Sequence, residues 1–191
     1  MANEDQRYGR NKNTLVNKSY IDSGEYKRKF DNATDNPEVN KSLYDSAKNA
    51  LKHRSGTELE DMYWIDGNTG RIVAKETDSK TTKQVDYSSN TQKIVDGYEH
   101  NQLITIHTHP ASMPPSVNDF NSCCSNNYKM GFVACHNGKV YGYTSKQMIS
   151  PKLYDMYIAD FIDNGADEFT AQLKAINKLS ENHAIEFWEV E

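Results

Sequence analysis

Ile104-Thr105-Ile106-His107-Thr108-His109-Pro110-Ala111-Ser112-Met113-Pro114-Pro115-Ser116-Val117-Asn118-Asp119-Phe120 reads as a strand, a tight loop and a helix start. The β-branched run before His107 favours a strand, in which alternate side chains share a face. His107 and His109 therefore point the same way. Pro110 removes a backbone donor and ends the strand. Pro114 and Pro115 turn the chain back. Ser116-Val117-Asn118-Asp119 has the spacing of a capping box, Ser116 as N-cap and Asp119 at the third helical position. A helix start fixed in this way would hold Asp119 in place. Two imidazoles and one carboxylate can bind a metal through three ligands and leave a fourth position open, the arrangement of a catalytic zinc. The bland alternative is two histidines on a wet strand face followed by an ordinary capped helix.

Working outward, His107-Thr108-His109-Pro110 followed by Ser116-Val117-Asn118-Asp119 resembles the JAMM signature of the JAB/MPN metalloprotease family. That family includes zinc deubiquitinases and prokaryotic and phage members such as the RadC-like proteins. Its usual loop places the serine eight positions after the second histidine. Here Ser116 comes seven after His109, one residue short. The shorter loop and its Pro-Pro-Ser ending favour a prokaryotic or phage-type member, similar to JAB domains attached to phage head-morphogenesis proteins. The resemblance implies an α/β fold, a three-layer mixed β-sheet flanked by helices, with an N-terminal arm and C-terminal helices. It implies Zn2+ on His107, His109 and Asp119, and Ser116 as donor to an oxyanion or as the group that orients the water. It also implies a glutamate on an earlier strand as general base. Glu60, seven positions before Gly67, has the family spacing, and Glu58 is the alternative on the same side. The implied substrate is a protein or peptide cut at a peptide or isopeptide bond, often at a ubiquitin-like tail.

Length and composition bound these expectations. The chain has 191 residues, enough for one sizeable domain with extensions. Hydrophobic residues make up 36% and charged residues 26%, so a core is affordable in a rather polar chain. The formal net charge of -5 supplies no basic field for nucleic acid, so a nucleic-acid role ranks last. Cys123, Cys124 and Cys135 lack ligand-like spacing and suggest buried thiols in a reducing compartment. No apolar leader or long apolar run stands out, so a cytoplasmic location is expected, in the host if phage-encoded, with no membrane partner.

Three segments follow: 1–37, a polar arm with a short helix; 38–145, the metallohydrolase core; 146–191, a helical extension with a final strand. In the first, residues 1–14 read as a flexible tether. Tyr20, Ile21, Tyr26 and Phe30 suit one short helix capped by Asp22 or Ser23. Val39, Leu43, Ala47, Ala50 and Leu51 recur at helical spacing, with Asn36 as cap and Pro37 in the first turn. Met62-Tyr63-Trp64-Ile65 and Arg71-Ile72-Val73-Ala74-Lys75 read as strands around the turn Asp66-Gly67-Asn68-Thr69-Gly70. Residues 84–87 form a weak strand, read as part of a hairpin extension near the cleft, and 91–98 a short helix. His100 is expected to be exposed. After the Asp119 helix, residues 130–135 and 140–144 form a hairpin through His136-Asn137-Gly138-Lys139, with Asn-Gly in a type I′ turn and His136 exposed. Ser150-Pro151 starts a helix faced by Leu153, Tyr154, Tyr157, Ile158 and Phe161. A second helix turns Phe169, Leu173, Ile176 and Leu179 inward, and residues 185–190 form the last strand, on this sheet or a partner's.

Two function classes stand out: a zinc peptidase or isopeptidase, and a catalytically silent module that keeps the fold for assembly or binding.

Overall fold

A computed structural model describes residues 14–82, 84–182 and 185–191. The expected tether lies almost wholly outside the described residues. The described chain is α/β, with seven helices and six strands. In order these are α1 (Lys18–Ile21), α2 (Gly24–Arg28), α3 (Pro37–Arg54), β1 (Met62–Asp66), β2 (Ile72–Glu76), α4 (Ser89–Asp96), β3 (Leu103–His109), α5 (Val117–Ser125), β4 (Met130–Cys135), β5 (Val140–Ser145), α6 (Pro151–Asp163), α7 (Glu168–Asn182) and β6 (Ile185–Glu189). Among the described residues no helix is long and apolar enough to cross a membrane.

The strands make one mixed sheet in the order β2-β1-β3-β4-β5-β6. Only β3 and β4 run parallel, joined across α5, because a parallel pair needs a crossover rather than a hairpin. Every other neighbouring pair is antiparallel. β3 is interior and buried along nearly its whole length, although four of its seven residues are Thr or His.

Each face of the sheet has its own core. Ile65, Ile104, Ile106 and Phe132 pack against Val39, Leu43, Ala47 and Leu51 of α3 and against Ile21, Tyr26 and Phe30. Met62, Trp64, Val133 and Tyr143 pack on the other face with Phe120, Tyr154, Ile176 and Leu179 from α5, α6 and α7. Helices thus cover both faces, and β6 pairs with β5 of its own sheet. α3 is built as its sequence indicates: the Asn36 side chain accepts from Glu38 N–H, Pro37 sits in the first turn, and basic residues close the last turn.

Several local expectations are corrected. The segment around Tyr20–Phe30 is two short helices, because Ser23 breaks the first and caps the second by accepting from Tyr26 N–H at 3.2 Å. Residues 84–87 are not a strand; the nearby bridge pairs Leu59 with Thr82, and the segment instead lies over a cleft. The 136–139 turn is not type I′. Asn137 keeps a negative φ, and Gly138 alone is left-handed at +89°. Gly138 N–H donates to Cys135 O and Cys135 N–H to Lys139 O, a type I turn completed by a left-handed glycine. His136 is buried rather than exposed, because the chain at Thr14 covers it and Thr14 O lies 2.6 Å from its Nδ1. On α7 the buried stripe is Ala171, Ala175, Ile176 and Leu179, while Phe169 and Leu173 are only half-buried. His100 is exposed, and Cys123 and Cys135 are buried free thiols.

Candidate metal centre

Sheet register assembles the centre. His107 pairs with Met62 of β1 and with Val133 of β4, so it stands in the middle of the sheet on the α5 side. The antiparallel register continues past β1, where Asp61 N–H donates to Thr108 Oγ1 at 3.1 Å and Thr108 N–H to Asp61 O at 3.1 Å. That places Glu60 opposite His109, on the same face as His107. Glu58 is exposed and does not line the cleft.

The helix start brings the carboxylate. Ser116 Oγ accepts from Asp119 N–H at 3.4 Å, and the Asp119 carboxylate accepts from Ser116 N–H at 2.6 Å, a complete capping box. Asp119 is thereby aimed at both imidazoles, with Oδ1 3.2 Å from His107 Nε2 and Oδ2 3.5 Å from His109 Nε2. The two Nε2 atoms are 3.0 Å apart. The side chains are 5%, 12% and 18% exposed for His107, His109 and Asp119, so the cluster is sheltered yet reachable.

These separations suit a cation. A tetrahedral ion with bonds of about 2.0–2.1 Å has ligand-to-ligand edges of about 3.3 Å. His109 Nδ1 is 2.9 Å from Met113 O; donating there leaves the Nε2 lone pair free for a metal. His107 Nδ1 is buried with no partner among the described residues. Such an orphan costs about 1–3 kcal/mol, and the His107 ring lacks the second orienting bond that His109 has to Met113 O. Among the described residues His107, His109 and Asp119 form a group able to hold a metal ion.

Charge in the site is strongly coupled. Burial by itself would raise the Asp119 carboxyl, but His107 and His109 outweigh it and hold Asp119 well below the usual carboxylate range. Burial pulls His109 down, but Asp119 and Glu60 outweigh it and raise His109 from 6.5 to about 9. Burial also raises Glu60, an effect partly offset by the two imidazoles. The metal-free protein should therefore lose stability as pH rises. Its folded state binds the extra His109 proton between 6.5 and about 9, so that stabilisation is complete below 6.5 and gone above about 9. Zinc, which needs the unprotonated imidazole, should stabilise more at pH 8 than at pH 6. Thermal unfolding across this range, with and without zinc, measures both trends; a metal-free melting temperature that did not fall would contradict the His109–Asp119 coupling.

The cluster opens into a cleft of about 300 Å³. Glu60, Ser116, His107, His109 and Asp119 all line it. So do Tyr87, Tyr128 and Tyr143, which come from three separate segments. Trp64 Nε1 donates to Tyr128 Oη at 2.9 Å, Tyr87 and Tyr128 hydroxyls are 3.2 Å apart, and Tyr87 packs edge-on to Trp64. Behind Glu60, the buried Asp61 carboxylate pairs with Arg54 Nε and with His53 Nδ1. The tyrosines and Arg54 carry no signal in the sequence, since spacing along the chain does not reveal what converges from distant elements. Asp61 has only its place beside Glu60.

No family model matches the chain, and neither a curated protein nor a solved structure resembles it detectably.

Proposed function

We propose that this chain is a zinc-dependent hydrolase of peptide or isopeptide bonds, JAMM-type, on a JAB/MPN-like fold. One observation carries the reading: two imidazole nitrogens and a carboxylate converge within a metal's reach, in one cleft with the buried carboxyl Glu60. Three protein ligands with a free position are a catalytic rather than a structural pattern, and the donor set suits zinc. The ion supplies Lewis acidity, acidifying a water molecule and polarising a carbonyl.

The remaining work falls to the chain. Glu60, opposite His109 and outside the ligand group, takes the proton from water and passes it to the leaving amine. A carboxyl raised by burial is suited to both halves of that exchange. Ser116 uses its oxygen as acceptor in the helix cap, which leaves its hydroxyl hydrogen to donate to the oxyanion. Asp119 and Met113 O orient the imidazoles. The substrate class is a protein or peptide, and the setting prokaryotic or phage protein processing.

The test is metal content by elemental mass spectrometry after dialysis, for the wild type and for His107→Ala. The expected result is about one zinc per chain in the wild type and little in the variant. A screen of peptide and isopeptide substrates follows. Absence of zinc from both, even after adding it back, would reject the enzyme and leave the silent binding module.

A further inference from the structure

The cleft is larger than the chemistry at the metal needs. A water molecule accounts for only about 30 Å³, against about 300 Å³ of cleft. The sheet register says where the rest lies. Rows of paired residues cross the sheet: Glu60 opposite His109, then Met62–His107–Val133, then Trp64–Thr105–Gly131–Tyr143. At about 3.3 Å per residue, the Thr105 row lies about 7 Å beyond His107. Two residues of that row are aromatic, Tyr143 on the cleft wall and the buried Trp64 behind it. Tyr87 and Tyr128 are attached to Trp64 by the contacts given above, and the Tyr143 ring lies on Gly131, where an added Cβ would come within 2.2 Å of it. Val85 and Met62 add apolar surface, and Thr105 and Ser122 add hydroxyls. Among the described lining residues there is no lysine or arginine, and both charged carboxyls, Glu60 and Asp119, stand at the metal end.

We infer that this aromatic end is a specificity pocket for a bulky, uncharged side chain beside the scissile bond, aromatic by preference, and that the substrate is not selected as a slender glycine tail. The inference rests on the zinc hydrolase reading. The distance of about 7 Å between the His107 and Thr105 rows is comparable with the length of one aromatic side chain. The pocket's phenol-rich wall favours a ring, and among the described lining residues it offers a carboxylate no lysine or arginine to pair with, which costs binding. Tyr87 and Val85 belong to a segment without regular structure, so the pocket is walled by sheet on one side and by irregular chain on the other.

Hydroxamates test this without hydrolysis, because they need only the metal and the pocket. Affinities of acetohydroxamate, benzohydroxamate and 4-carboxybenzohydroxamate for the zinc-loaded protein are measured by calorimetry, with zinc content read in the same samples. Benzohydroxamate should bind at least about tenfold tighter than acetohydroxamate, and the carboxylate should abolish that gain. Filling the pocket with Val85→Trp, or from the α5 side with Ser122→Phe, should bring the benzo-to-aceto ratio close to one. Equal affinity in the wild type, or a preference that survives both filled variants, would overturn the pocket while leaving the metal site standing. A wild type without zinc would overturn the metal reading, and this inference with it.

Discussion

If the chain is the zinc hydrolase proposed, Glu60→Gln should retain the metal and lose hydrolysis by about two to four orders of magnitude. Glutamine keeps the shape of a side chain only 9% exposed, so the cleft stays packed. It cannot accept a proton from water, and that is the role assigned to Glu60. Among the described residues the group able to hold a metal is His107, His109 and Asp119, without Glu60, so zinc content should match the wild type. Glu58→Gln is the control, since Glu58 is exposed and outside the cleft; it should leave kcat unchanged. Single-turnover rates on any substrate found in the screen measure the difference. Full activity in Glu60→Gln would remove Glu60 from the chemistry, and loss in Glu58→Gln would point to the alternative base.

Arg54→Met destabilises the fold by about 3 kcal/mol. Asp61 is fully buried and Arg54 is 6% exposed, so this pair is not a screened surface contact. Removing the guanidinium leaves a carboxylate in the interior without its main partner. His53 remains 2.7 Å away, but its side chain is 53% exposed and solvent weakens what it offers. Arg54 Nη2 also donates to Thr77 O at 2.6 Å and to Ser79 O at 3.3 Å, bonds that methionine cannot replace. Adding Asp61→Leu to Arg54→Met should recover part of the loss, because a buried pair replaced as a unit by apolar groups costs less than either half alone. Urea unfolding of the wild type, the single variant and the double variant measures this. A single-variant cost below about 1 kcal/mol would mean that water reaches Asp61.

The legible part of the molecule is the part encoded by local rules. Helical spacing from Val39 to Leu51 and the Asn36-Pro37 start gave α3 nearly to the residue. Strand alternation put His107 and His109 on one face, and Ser116 to Asp119 proved to be a capping box. Failures came where a neighbour in space overrides the local signal. Asn137-Gly138 carries a type I′ preference, yet the hairpin takes a type I turn with only Gly138 left-handed. His136 looks exposed in a turn, but Thr14, remote in sequence, covers it. Residues 84–87 alternate like a strand but find no strand partner, so they cross the cleft instead.

The same division holds at the centre. The sequence by itself determined the donor types, two imidazoles one residue apart and a carboxylate at a capped helix start, because each depends on periods of two and three residues along one short stretch. Only the tertiary structure decided that Glu60 faces those donors while Glu58 stays outside, because that follows from how β1 registers against β3. Only it gathered Tyr87, Tyr128 and Tyr143 into one wall and set Arg54 against Asp61. Long-range pairing is fixed by burial on both faces of the sheet at once, and no window of sequence contains both partners.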